Sequence, residues 1–159
     1  MAKKHRLNRK FYTGLKRISF TLCVKDKKNL FDDEGIVKEF ISVLKFETNK
    51  QNVKNWVYVF MPDHLHIILE GTTEESDLWK TIKIFKQKAG YLLKREVGER
   101  FKLQKDFFDY IHRKNDDLIK HIKYVAENPV RKRLVKDWRN YKKTGSIHYN
   151  LEELIGNIS

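Results

Sequence analysis

The chain has 159 residues, 40% of them hydrophobic and 13% aromatic, which is enough to bury one sizeable core without metals or disulfides. Its single cysteine, Cys23, excludes an internal disulfide framework, and no apolar run resembles a signal peptide or a membrane span, so the expected compartment is the cytoplasm. A formal net charge of +13, from 34 Lys and Arg against 21 Asp and Glu, leaves more surface cation than the chain can pair internally and calls for a polyanionic partner. Charge alone does not choose among DNA, RNA and an anionic membrane, because phosphate attraction is largely independent of sequence.

Residues 1–16 open with MAKKHRLNRK, basic and poor in apolar groups, and read as a flexible arm suited to phosphate contacts. From Arg17 to Lys25, RISFTLCVK alternates, with Ile18, Phe20, Leu22 and Val24 on one face and Ser19, Thr21 and Cys23 on the other, which predicts a strand. After Gly35, the spacing of Ile36, Val37, Phe40, Ile41 and Leu44 predicts a helix to about Asn49. NWVYVFM (55–61) and HLHIILE (64–70) are rich in β-branched and aromatic residues. Pro62 and Asp63 between them suit a tight reversal, so the pair reads as a β-hairpin.

A longer helix is expected from about Ser76 to Glu99, with Leu78, Ile82, Phe85, Ala89 and Leu92 as its apolar stripe and Lys80, Lys83, Lys86 and Lys88 on its charged side. A short strand around Phe107 to Arg113 follows. Next comes a helix from about Asp116 that should stop at Asn128, because Pro129 disfavours helical geometry in the residue before it. Past Trp138 the pattern supports only a weak terminal helix. The order β, α, β, β, α, β, α predicts an α+β domain over residues 17–149, an antiparallel sheet with helices packed on one face, and a C-terminal tail at 150–159.

Two constellations carry chemistry. His64 and His66 alternate on a strand and emerge side by side on one face, as metal ligands or as hydrogen-bonded sheet histidines. Tyr124 and Asn128, four apart on the last helix, share a flank away from the stripe of Leu118, Ile119, Ile122 and Val125. They are either a functional phenol and amide, or a boundary aromatic and a helix-ending residue.

With both constellations in view, the sequence resembles a known family. WVYVFMPDHLHIILEG is similar to the His-hydrophobic-His strand of the single-tyrosine transposases of the HUH superfamily, and KYVAENPVRKRLV resembles their catalytic helix, where an NPV or NPL turn follows the tyrosine. FFDYIHRKNDDLIKHIKYV is similar to the segment that the REP-associated tyrosine transposase group carries ahead of its tyrosine, and the resemblance spans roughly Arg17 to Tyr149. It implies a ferredoxin-like HUH architecture, with His64, His66 and Asn128 as ligands of a divalent metal ion, Mg2+ or Mn2+, and Tyr124 as nucleophile. It further implies single-stranded DNA, hairpin-containing and of the repetitive extragenic palindrome kind, as substrate, and a monomer in preference to a homodimer. The sequence departs from the family pattern at two places: Lys132 and Arg133 stand where many relatives have Ala and Gly, and Asp63 stands where Asn is common.

The chemistry is coherent with that implication. In-line cleavage of a phosphodiester needs a nucleophile, neutralisation of the non-bridging oxygens and alignment of the leaving oxygen. A tyrosine ester would conserve the bond energy for rejoining. Lys120 and His121, one turn before Tyr124, are candidate helpers for its proton, and Trp79 and Tyr91 are candidate stacking platforms for unpaired bases. The competing readings are a DNA- or RNA-binding protein of the same fold that has lost catalysis, and a phosphodiesterase in which the histidines activate water and Tyr124 is structural.

Overall fold

The computed structural model describes residues 8–157. Its centre is a five-stranded antiparallel sheet in the order β4-β1-β3-β2-β5, built from β1 (Arg17–Cys23), β2 (Val53–Met61), β3 (His64–Gly71), β4 (Phe108–Ile111) and β5 (Thr144–Gly145). The hairpin β2–β3 turns on Pro62 and Asp63 as expected, and β1 carries the expected alternation, with Ile18, Phe20 and Leu22 buried and its other residues half-buried.

Helices α1 (Glu34–Lys50) and α2 (Leu78–Val97) lie together on one face. Each starts where an aspartate accepts from free backbone N–H groups: Asp33 from Gly35 and Ile36, and Asp77 from Lys80. Phe40, Leu44, Ile82, Phe85, Ala89 and Leu92 meet the odd-numbered residues of β3, Leu65, Ile67 and Leu69, in the larger of two cores. The lysine side of α2 is not wholly solvated, since Lys88 pairs with the fully buried carboxylate of Glu47 on α1.

The expected α+β sheet is therefore present, but helices occupy more than one face. Helix α3 (Leu118–Ala126) and the short α5 (Leu151–Ile155) pack on the opposite face, where Val57, Val59, Met61 and Ile68 meet Ile122, Ala126, Trp138, Leu151 and Ile155 in a second core. Both faces of the central strands are apolar, so both must be covered. A bulge at Asn55–Val57 sets the phase of β2. Asn55, fully buried, donates to the carbonyls of Val57 (2.9 Å) and Ile68 (3.3 Å) and accepts from the Ile147 N–H (3.1 Å), which ties the C-terminal segment to the sheet.

Three boundaries differ from expectation. The proposed arm lies outside the described residues at 1–7, but 8–16 belongs to the folded body: Tyr12 is fully buried, edge-on to Trp79 at 5.1 Å, and its hydroxyl donates to Asp109. A single aromatic with a partner for its hydroxyl outweighs the polar residues around it. The segment 150–157 is likewise held, through Leu151 and Ile155. Finally, α3 stops at Ala126, two residues earlier than predicted, and a separate turn α4 (Asn128–Arg131) takes Pro129 into its first positions, where the missing N–H costs nothing.

Gly71, at the end of β3, fits only because it lacks a side chain: an added Cβ would lie 2.0 Å from the Gly14 carbonyl oxygen and 2.8 Å from Ser76 Cβ. The obstructing atoms include backbone that is itself bonded, Gly14 N–H to Ser76 O at 2.8 Å, and cannot rotate away. Gly71→Ala is expected to destabilise the fold by about 2 kcal/mol or more, read as a lower midpoint of urea denaturation with an unchanged slope.

Candidate active site

Because Leu65, Ile67 and Leu69 point into the larger core, His64 and His66 must emerge on the face that α3 covers. Their rings are adjacent, 4.7 Å between centroids and nearly perpendicular. Each ring is tied back through the same nitrogen. His64 Nδ1 meets Asp63 Oδ1 at 2.6 Å, and His66 Nδ1 meets Thr21 Oγ1 at 3.0 Å, Thr21 being the cross-strand partner of His66. Among the described residues, the Nε2 edge of each ring meets no hydrogen-bond partner. Burial, with added repulsion from His64 and Arg131, pushes the His66 pKa down to about 4, so this imidazole is neutral at neutral pH.

Helix α3 crosses above. Asp117 caps its start by accepting from the Lys120 N–H (3.1 Å), and Ile122 and Ala126 anchor it on β2 and β3. This leaves Tyr124 on the flank, 64% exposed, over a cleft of about 650 Å³ whose walls include Thr21 and His66 from the sheet and His121, Tyr124 and Asn128 from the helical side. Asn128 donates through Nδ2 to the Val125 carbonyl (3.0 Å), which orients its amide. His64 does not line this cleft itself. It flanks His66 from the side of the Pro62–Asp63 turn, where Lys132 is also found.

Three of the four residues singled out in the sequence, His66, Tyr124 and Asn128, thus line one cleft, with His64 beside His66, although a break in the helix separates Tyr124 from Asn128. Lys120 and His121 do line the cleft. Trp79 and Tyr91 do not: both belong to α2, on the other side of the sheet, where Trp79 packs between Tyr12 and Phe107. Their spacing could not reveal which face α2 would cover.

Two participants were not legible. Thr21 was only one of three residues on the polar side of β1, and the strand register alone brings it to His66. Nor does residue type single out Arg131, whose guanidinium lies 3.7 Å from the centroid of the Tyr124 ring and donates to the Tyr124 carbonyl at 2.7 Å. The substitution in the NPV turn carries a backbone cost. Arg133 adopts φ 60°, a left-handed conformation that glycine enters without strain, at the position where the family pattern has glycine. The turn keeps its shape at the expense of strain.

The comparisons with known proteins agree with this geometry. A family model described as IS200-like transposase matches residues 14–128. No curated protein matches the chain in sequence. Among solved structures, a REP-associated tyrosine transposase bound to a REP hairpin superposes with a TM-score of 0.72 at 17% identity, covering 91% of this chain and 82% of that one. A Deinococcus radiodurans R1 protein described as a transposase gives a TM-score of 0.53 at 14% identity, over 80% of this chain and 97% of its own. Among the described residues, no helix is long and apolar enough to cross a membrane.

Two stability measurements test the local picture. The Tyr124 ring is mostly solvated and its hydroxyl bonds to none of the described residues, so Tyr124→Phe should change the unfolding free energy by less than about 0.5 kcal/mol. Arg133→Gly should instead stabilise the chain by about 0.5–1 kcal/mol by relieving the left-handed residue, seen as a raised melting temperature. Fold, site and the match over residues 14–128 lead to one assignment: the chain belongs to the IS200-like transposase family.

Proposed function

We propose that this protein is a metal-dependent single-stranded DNA endonuclease and strand-transferase that works through a 5′-phosphotyrosine intermediate at Tyr124. The observation that carries the reading is the convergence of Tyr124, His66 and Asn128 on one cleft, with the Nδ1 atoms of His64 and His66 both occupied by oxygen partners.

That arrangement fits a divalent cation. Imidazoles held through Nδ1 by a hydroxyl or a carboxylate present Nε2 as the ligating atom, and a ring kept neutral by burial has its lone pair available. His64 and His66, with the Asn128 amide oxygen, are the residues that would hold the ion. When bound, Mg2+ or Mn2+ would supply charge neutralisation at the scissile phosphate, with imidazole ligands favouring Mn2+.

The remaining steps belong to the chain itself. Tyr124 gives up its phenolic proton and its oxygen attacks phosphorus in line. The P–O3′ bond breaks, and the leaving 3′ oxygen takes up a proton to become a free hydroxyl, while the 5′ phosphate stays esterified to Tyr124. Arg131 holds the ring face-on and keeps a cation beside the developing phenolate. His121 and Lys120, on the same cleft wall, are the candidate helpers for its removal. A second 3′ hydroxyl then attacks the phosphotyrosine, rejoins the strand and restores Tyr124.

The substrate follows from charge and kinship. A net charge of +13 and the basic run Arg131–Arg133 beside the cleft favour a nucleic-acid backbone, and the hairpin carried by the structurally similar transposase favours a REP-like hairpin with a single-stranded flank. His66, Asn128 and Tyr124 of one chain border the same cleft, which supports a site complete in a monomer.

The test is to incubate the protein with Mn2+ and labelled single-stranded hairpin DNA and to resolve the products on a denaturing gel. A covalent protein–DNA adduct is expected, absent in Tyr124→Phe and reduced at least about a hundredfold in His66→Ala. Cleavage without adduct that survives Tyr124→Phe would mean a hydrolytic phosphodiesterase. Binding with neither cleavage nor adduct would mean a nucleic-acid-binding protein of the same fold.

A further inference from the structure

Beside the Tyr124 cleft lies a second cluster, which shares only His121 with the cleft wall. His112 follows β4, Asp116 belongs to the connection to α3, and His121 is in the first turns of α3. One nitrogen or oxygen donor from each lies within 4.8 Å of the other two. The His112 and His121 rings are 4.4 Å apart at 56°. From these positions we propose that His112, Asp116 and His121 form a second metal site, for a borderline transition ion such as Zn2+, separate from the His64–His66 pair.

The state of His112 is the strongest indication. It is 9% exposed, its Nε2 lies 2.7 Å from Ser19 Oγ, and its Nδ1 is buried with no hydrogen-bond partner among the described residues. A buried ring nitrogen is normally paired, because leaving it so forfeits its hydration for nothing. In the tautomer that donates Nε2–H to Ser19, Nδ1 carries a lone pair, and the hydroxyl on the far nitrogen is the outer partner that fixes a ligating histidine. Burial, with His121 and Arg17 nearby, pushes the His112 pKa down to about 4, so the lone pair is not taken by a proton at neutral pH.

The other two groups complete a suitable donor set. Asp116 is fixed through Oδ2, which accepts from Tyr110 OH at 2.7 Å and from the Arg113 N–H at 2.8 Å, and it supplies negative charge against the incoming cation. The nearby Arg17 is engaged with Glu70 at 3.2 Å. Two imidazoles and one carboxylate favour Zn2+ over Mg2+, and three protein ligands leave one position for water. An ion there would pin the end of β4, the connecting segment and α3 to one point, three residues before Tyr124. It would thereby fix the helix that carries the nucleophile.

The experiment uses the full-length, untagged chain carrying His64→Ala and His66→Ala, so that the first pair contributes nothing. Calorimetric titration with Zn2+, and with Co2+ followed by visible absorption, is expected to give one bound ion in a tetrahedral environment. At a Zn2+ concentration about a hundred times Kd, the melting temperature should rise by about 5–10 °C. Adding His121→Gln or Asp116→Asn, both at partly exposed positions, should weaken binding at least tenfold without lowering the metal-free melting temperature, and His112→Gln should do the same where it folds. Absence of Zn2+ binding by the double-alanine chain, or binding unchanged by His121→Gln and Asp116→Asn, overturns the proposal. The readout involves no DNA, so it stands or falls independently of the adduct assay.

Discussion

Strand β3 is hydrogen-bonded along its length to β1 on one side and β2 on the other, and its side chains alternate between two covered faces. Leu65, Ile67 and Leu69 are fully buried beneath α1 and α2, and this burial fixes the phase of the strand. A slip of one residue would drive His64, His66 and Glu70 into an apolar core, at several kcal/mol for each unpaired polar group. The position of the two imidazoles is therefore enforced by three aliphatic residues that never touch the site.

The opposite face has to satisfy two demands at once. It needs apolar cover for Val57, Val59 and Ile68, and it needs open space beside His66. Helix α3 meets both by anchoring through Ile122 and Ala126 near β2 while its other flank, with His121 and Tyr124, overhangs β3 and β1. The amphipathic spacing of one short helix thus decides which residues are core and which face the cleft. Asn55 supports this from a distance: by holding the β2 bulge and the Ile147 backbone, it keeps Val57, Val59 and Met61 directed toward α3.

The polar side of the sheet is organised by oxygen-to-imidazole contacts. Asp63 and Thr21 hold the Nδ1 atoms of His64 and His66, and Ser19 holds Nε2 of His112. Such partners select a tautomer and a ring orientation before any ligand arrives, which lowers the reorganisation needed at the moment of binding. Three histidines are thereby pre-set by hydroxyls or a carboxylate that pack against them in register. Their order along β1, Ser19 then Thr21, is the same alternation that buries Ile18, Phe20 and Leu22 on the other side.

Much of this was legible in the sequence, because it depends on local periodicity and residue chemistry. The alternation in RISFTLCVK and HLHIILE, the stripes of α1 and α2, and the Pro62–Asp63 reversal specify their elements directly, and the His-x-His strand with the Tyr-x3-Asn-Pro segment marks the family. What the sequence could not determine was anything set by how one element meets another in space. The second helical face, the docking of Tyr12, the two-residue strand β5, the stacking of Arg131 on Tyr124, and the meeting of His112 with Asp116 and His121 all arise from strand register and helix placement. Those are decided by the joint burial of apolar surface across the whole chain, a quantity that no single segment carries.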